Sequence, residues 1–337
     1  MDLFRQDRLA GTLLGAAVND ASGVVAVHSG LLAAALGREL SLERDPEGDA
    51  ADPARIASSF RRALVGWSLR HPWMADVDTL HACGCIALGM HRTGTTAPTS
   101  GAAMRAAIVG AAMPFHPERR RAVGRAVAEI THADERSIEA ALFVAEVAAA
   151  CVLAPANGDR TSFVDRARSV VRSPELAVAL HYALDLVEKK VTMDLAAREL
   201  GTSNDAAEAI PLAAFAFARF GDSPEAAMDH VAAGVGNHAR ACRAILGAWL
   251  GTLSGAACLP WNRVARLREG PFGPARLREL AAIVTEGACL PRPVSGIPRI
   301  VLCPDASIAP PPAPSLAAPG ASRGEDAGVG VMQKATR

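Results

Sequence analysis

Apolar residues recur every three or four positions from the N-terminus to about residue 290, and no alternating pattern of the β-strand type interrupts them. This spacing predicts a chain built of α-helices. The segments that carry the pattern lie near residues 4–18, 30–40, 53–70, 79–91, 101–112, 117–130, 134–153, 161–172, 174–188, 205–219, 222–234, 239–257 and 274–288.

Capping residues mark several of these boundaries. Pro53 follows Asp52 and Pro224 follows Ser223, and each pair places a proline in a first helical turn behind a capping side chain. Residues 41–52 are rich in charged side chains, which indicates an exposed linker between two helices.

The C-terminal part of the chain has a different composition. From about residue 304 it consists mainly of Pro, Ala, Gly and Ser, which cannot bury a core. The sequence therefore predicts an all-α fold, with a single compact multi-helix domain over residues 1–303 and a disordered tail over residues 304–337.

The most informative stretch, residues 234–260, is a glycine-rich turn that leads into a long helix with one face of small residues. A face of this kind lets another helix or a ligand approach the backbone closely. Residues 244–259 are apolar enough to suggest a membrane span, but the segment is short and rich in glycine, so we expect a buried core helix. The small residues of the face are Ala244, Gly247, Gly251, Ser254 and Gly255.

Charge and cysteine content limit the possible partners and location. The 337 residues carry 35 basic and 35 acidic side chains, and this balance argues against a nucleic-acid or anionic-membrane binder. Seven cysteines in apolar helical surroundings, in no regular framework, indicate reduced thiols. No secretory signal is visible, because Asp2, Asp7 and Asp20 interrupt the first apolar run. We therefore expect a cytoplasmic protein.

Four pieces of sequence occur in a characteristic order. They are residues 9–23, residues 99–105, residues 130–136, and residues 209–217 with 223–230, which lead into the stretch at 234–260. In this order they resemble motifs of the ADP-ribosylglycohydrolase family, in its dinitrogenase-reductase-activating glycohydrolase-like form, and the resemblance covers about residues 8–265. It implies an all-helical fold and the hydrolysis of an N- or O-ribosidic bond. It also implies a binuclear magnesium centre, held by Asp and Thr at two facing helix N-termini.

The positions that match the family's metal ligands carry other residues. The first cluster, Thr-Asp-Asp-Thr in the family, falls on Val27-His28-Ser29-Gly30, and the second, Asp-x-Asp-Thr, falls on Asn237-His238-Ala239-Arg240. Neither retains a carboxylate, the ligand that magnesium prefers. We expect no magnesium and no other cofactor. Asp76-Val77-Asp78-Thr79 spells the second motif but lies elsewhere in the order, so it is interpreted as a helix cap.

The candidate site is assembled on these matched positions. Asp20 and His28 are the candidate acid and base. The candidate ligand-binding residues are Ser100, Arg105, His132, Asn237 and Arg240. Each has a structural alternative: the two histidines as satisfied core residues, Arg105 as part of an ion pair that orients a loop, and Arg240 as a solvated side chain. Where it faces the pocket, the guanidinium of Arg240 can replace a cation and bind phosphate or carboxylate.

Two functions follow from this pattern. In the first, the protein is a metal-independent enzyme that acts on an ADP-ribosyl, nucleotide-derived or other small anionic substrate. In the second, it is a non-catalytic pseudoenzyme that binds such a ligand or a protein partner. The retained histidine, arginine and aspartate favour the first, whereas Gly30 and Ala239 at metal-ligand positions favour the second.

Overall fold

A computed structural model describes residues 2–20, 22–42, 52–155, 157–235 and 239–287. This part of the chain is helical, as predicted, and contains no strand beyond two isolated bridges. Its helices are α1 Asp2–Val18, α2 Val24–Leu42, α3 Pro53–Arg70, α4 Val77–Ala87, α5 Ala103–Ala112, α6 Pro117–Ala128, α7 Glu135–Leu153, α8 Arg160–Ala167, α9 Pro174–Glu188, α10 Met193–Leu200, α11 Ala206–Phe220, α12 Pro224–Val235, α13 Arg240–Ser254, α14 Trp261–Val264 and α15 Pro274–Gly287.

Most predicted helices are found, with three corrections. The helix expected at 30–40 begins six residues earlier, at Val24, so the Val27–Gly30 segment lies inside α2 instead of before it. Sequence reasoning missed α10 and α14, which are only eight and four residues long. The predicted cap of α3 is confirmed, because the Asp52 carboxylate accepts a hydrogen bond from the backbone N–H of Ala54.

The small-residue face of α13 packs against α1. A Cβ built on Gly247 would lie 2.1 Å from the carbonyl oxygen of Gly15, and one on Gly251 would lie 2.0 Å from that of Gly11. The two backbones therefore touch directly, an approach that only glycine permits. The Thr12 and Thr252 hydroxyls, 2.8 Å apart, add a buried hydrogen bond between the same helices.

The other faces of α13 are also covered. Trp249 is fully buried, and its indole N–H donates to the carbonyl oxygen of Val144 on α7. Its ring also meets Phe217 of α11, with 5.4 Å between ring centroids. The helix is thus the core helix predicted from its composition, and none of the helices described could cross a membrane.

The predicted tail, residues 304–337, and much of the predicted linker lie outside the described residues. The division into domain and tail stays a prediction. Within the described part every cysteine is free, and all but Cys258 are buried.

Candidate functional site

The N-terminal end of α2 is capped by Asp20. One carboxylate oxygen accepts the backbone N–H of Val25 at 2.7 Å, and the other accepts the hydroxyl of Ser22 at 2.6 Å and its backbone N–H at 3.2 Å. Asp20 is 5% exposed. This predicted catalytic residue therefore uses both oxygens to hold the turn that starts the helix.

The N-terminal end of α13 meets this turn through Arg240. This half-buried residue is the first of the helix, and Ala239 before it supplies no side-chain cap. The guanidinium Nη1 donates to the Ser22 hydroxyl oxygen at 3.4 Å, so it lies beside the hydroxyl that binds Asp20. Asn237, the other ligand-binding residue predicted here, lies outside the described residues.

His28 lies in the second turn of α2 and is buried. Its ring meets Trp67 of α3 edge-on, with 5.4 Å between centroids, and its Nε2 has no hydrogen-bond partner among the described residues. Burial lowers the pKa of His28 from 6.5 to about 4; Arg105 and Arg240 lower it further, while Asp76 and Asp20 oppose them. The imidazole is therefore neutral near pH 7.

The residues that the sequence matches to the family's first metal cluster offer no carboxylate to a magnesium ion. Val27, His28 and Ser29 are buried within α2, and a Cβ on Gly30 would lie 2.4 Å from the ring of Phe272. An aromatic ring thus packs against this turn of the helix. Over the described residues, no three His, Cys, Asp or Glu side chains are grouped so that they could hold a metal ion. That the protein works without magnesium stays a prediction.

Arg105 and Ser100 are held inside the fold. The Arg105 guanidinium donates to the Thr131 hydroxyl at 2.5 Å and to the carbonyl oxygen of Gly101 at 3.3 Å, and it lies over the ring of Phe60. Burial lowers the pKa of Arg105 to about 10. The Ser100 hydroxyl donates to the side-chain oxygen of Asn204 at 2.6 Å. Arg105 thus ties α5 to the segment before α7, and Ser100 ties the segment before α5 to that before α11.

His132 also has its partners within the protein. Its Nε2 is 2.8 Å from the Thr99 hydroxyl, which donates to Asp78 at 2.6 Å, and its Nδ1 is 2.7 Å from the Thr131 hydroxyl. The ring packs on Gly101, where a Cβ would lie 3.1 Å from Cε1. Burial lowers the pKa of His132 to about 3, helped by Arg105 and opposed by Asp76. This histidine is therefore neutral and fully hydrogen-bonded.

The start of α4 belongs to the same cluster, which sequence reasoning missed. Asp76 accepts the backbone N–H of Thr79 at 2.9 Å and its hydroxyl at 3.1 Å, which confirms the predicted cap. Burial raises the pKa of Asp76, but His28, the Thr79 hydrogen bonds and Arg105 lower it more, so the carboxylate stays ionised. The sequence signal for this part of the cluster is the Asp-x-Asp-Thr string at residues 76–79. It predicts the helix cap, but nothing in the string shows that the cap lies near His28.

Two surface depressions lie away from this cluster. One, of about 410 Å³, lies along α9 and α10 around Val178 and Tyr182. The other, of about 400 Å³, lies around Arg125 and Glu139. No predicted site residue lines either of them. The candidate site is the polar cluster between α2, α4, α5 and α13, which holds the buried side chains of Asp20, His28 and Arg105 together with Arg240.

Comparisons with known proteins agree with this all-helical architecture. The family model for ADP-ribosylglycohydrolase matches residues 1–292, and the chain therefore belongs to that family. A solved structure described as an ADP-ribosylglycohydrolase-related protein complex is similar, with a TM-score of 0.59 and 20% identity over 85% of this chain and 99% of that one. At this identity the likeness shows the fold alone. No curated protein matches the chain.

Proposed function

We propose that this protein binds a small anionic ligand of the ADP-ribosyl or nucleotide class, without magnesium, between the N-terminal ends of α2 and α13. The observation that carries the proposal is the position of Arg240. It starts a helix for which no described residue supplies a side-chain cap, and it reaches the capping turn of the facing helix at Ser22.

The electrostatics of this position favour an anion. A helix N-terminus presents backbone N–H groups and the positive end of the helix dipole, which together attract phosphate and carboxylate. A guanidinium adds a full positive charge and paired donors that match a phosphate. The carboxylate of Asp20 nearby is already bound by Ser22 and Val25, which leaves Arg240 as the group that can turn to a ligand.

Calorimetry with ADP-ribose tests this proposal. We expect binding in the presence of EDTA, unchanged by added magnesium. Because a charge-assisted hydrogen bond contributes about 1.5–3 kcal/mol, Arg240→Gln should raise the Kd about 10- to 100-fold. Arg166→Gln, at an exposed arginine of α8, is the matched control and should leave the Kd unchanged. Equal affinity in the Arg240 variant, or binding that requires magnesium, would contradict the proposal.

Catalysis is a second candidate function, favoured by the Nε2 atom of His28, which has no hydrogen-bond partner among the residues that the structure describes. In ribosyl hydrolysis, water attacks the anomeric carbon, the bond to the leaving group breaks, and a base takes the proton of the water. A neutral imidazole can accept that proton. The rate should then be flat above about pH 5 and fall below it, as the pKa of about 4 requires.

Turnover of an ADP-ribosylated peptide, followed by release of ADP-ribose, distinguishes the two functions. For an enzyme, we expect His28→Gln to abolish release although the variant still binds ADP-ribose. If the wild-type protein binds ADP-ribose and releases none from the peptide, it is a binding protein.

A further inference from the structure

Five side chains form one continuous hydrogen-bonded chain through the middle of the cluster. It runs from Arg105 of α5 through Thr131, His132 and Thr99 to Asp78 of α4. Its members come from three parts of the sequence, residue 78, residues 99–105 and residues 131–132, so these hydrogen bonds tie the start of α4 to the start of α5 and to the segment before α7.

We propose that His132 is a positioning residue, held as the neutral Nε2–H tautomer, which links Arg105 to Asp78 and so fixes the first turn of α4 beside His28. Its effect on ligand affinity rests on the binding function proposed above. The tautomer itself does not depend on that function.

The direction of each hydrogen bond follows from the donors available. The Thr99 hydroxyl has one hydrogen and donates it to the Asp78 carboxylate, so its oxygen must accept from Nε2–H of His132. At the other end, the Thr131 oxygen accepts from the Arg105 guanidinium, and its hydrogen is free to go to Nδ1.

Burial and the Arg105 cation disfavour the doubly protonated ring, and they act against the Asp78 carboxylate, which lies 3.8 Å from Nε2. A proton on Nδ1 would place a second cation against the hydroxyl that already binds Arg105, at a site where His132 is 1% exposed. The ring therefore carries its single hydrogen on Nε2. Because both nitrogens are engaged and the ring is covered, His132 has no group left to contact a ligand.

The chain bears on the site through the start of α4. Asp78 lies two residues after Asp76, the cap of that helix, and the charges of Asp76 and Arg105 both act on His28. The series of hydrogen bonds holds Asp78 at one end and Arg105 at the other. It therefore fixes the charged groups that surround the imidazole of His28. The His132 ring packs closely on Gly101, and the carbonyl oxygen of Gly101 also accepts a hydrogen bond from Arg105. These two contacts hold the His132 ring in its place between Thr131 and Thr99.

Nitrogen-15 NMR of the histidine side chains in the full protein reads the tautomer directly. We expect a protonated Nε2 and a bare Nδ1 for His132, unchanged from pH 8 to pH 5. A protonated Nδ1 in the neutral ring, or a ring that gains its second proton above pH 6, would overturn the proposal.

A matched pair at Thr99 tests the link to the site. Thr99→Val removes the hydroxyl between His132 and Asp78, and Thr99→Ser keeps it. We expect the valine variant to shift the His132 and His28 nitrogen signals and to raise the Kd for ADP-ribose at least about threefold, roughly the loss of one modest hydrogen bond. The serine variant should restore both.

The NMR signals of His28 test the positioning role, and the Kd for ADP-ribose tests the proposed binding function, so each can fail without the other. Unchanged His28 signals in a folded Thr99→Val protein would refute the positioning role, whatever the ligand does. If the wild-type protein does not bind ADP-ribose, the binding function fails, while the NMR comparison still decides the role of His132. If the Thr99→Val variant does not fold, a second pair at Thr131 serves the same purpose. Thr131→Val removes the hydroxyl between Arg105 and His132, and Thr131→Ser keeps it.

Discussion

Several motif residues of the family use their polar groups to hold the fold together. Asp20 caps α2, Ser100 binds Asn204, and Arg105 is bound within the core. Such buried groups are costly to leave unpaired, so each requires its partner in the folded state. Among the described residues predicted for the site, Arg240 differs, because it is the one at a helix start that is only half-buried.

Two buried neutral histidines make stability depend on pH. In the unfolded chain a histidine gains its proton near pH 6.5, whereas His28 in the folded protein gains it only near pH 4. Between these values the unfolded state binds more protons, so the free energy of unfolding falls as the pH is lowered. At ~1.4 kcal/mol per pKa unit, His28 alone accounts for about 3 kcal/mol, and His132 acts in the same direction.

Chemical denaturation between pH 7 and pH 4 measures this loss. We expect His28→Gln to be less stable at pH 7 but to lose less stability on acidification than the wild-type protein. His91→Gln, at an exposed histidine, serves as the control and should follow the wild-type curve. If His28→Gln and the wild-type protein show the same pH slope, His28 is not the buried neutral group described.

At the scale of helices, the packing of α13 on α1 was the feature most accessible from sequence. The spacing of Gly247 and Gly251 predicted a face for close approach, and the partner is α1 at Gly15 and Gly11. What the spacing could not supply was the identity of that partner, because many helices of this chain have small residues.

The close contact between α13 and α1 predicts that adding one methyl group at Gly247 lowers the free energy of unfolding. In Gly247→Ala the new Cβ would start 2.1 Å from the carbonyl oxygen of Gly15, so the helices must separate. Such overpacking costs about 1–3 kcal/mol, outweighing the better helix propensity of alanine. Gly84→Ala is the control, because no atom lies within 4 Å of its Cβ and alanine should stabilise α4 by ~0.5–1 kcal/mol. Equal effects in urea denaturation would contradict the packing.

The missed elements have physical causes. The start of α2 was placed too late because Val24, Val25 and Val27 are buried together with nearly every residue around them, and a helix buried on all sides has no amphipathic pattern. The cluster of Asp78 and His132 was missed for another reason. These residues are far apart in the sequence, and no local pattern encodes which loops meet. Sequence thus predicted the helices and family, but not which polar groups bind one another.

At the scale of the whole molecule, the chain belongs to the ADP-ribosylglycohydrolase family, while the residues that we matched to the family's metal ligands carry no carboxylate. The family resemblance implies magnesium held by carboxylates at two helix ends. Of the residues that we matched to these two helix ends, Val27–Gly30 form a covered turn of α2, and Ala239 and Arg240 lie at the start of α13. If the match of these residues to the family's metal ligands holds, as we propose, a guanidinium at the start of α13 lies where the resemblance implies a metal.

Thermal unfolding of the intact protein with and without magnesium tests whether Arg240 stands in place of the metal ion. A ligand that binds only the folded state stabilises it by RT ln(1 + [L]/Kd), about 2.7 kcal/mol at a hundredfold excess over the Kd. We expect millimolar magnesium or EDTA to change Tm by less than about 1 °C, because no described group of carboxylates is placed to hold the ion. ADP-ribose should raise Tm by several degrees in EDTA, and less in Arg240→Gln. A rise with magnesium that EDTA reverses would mean that oxygen ligands still hold the ion, and that Arg240 has not taken its place.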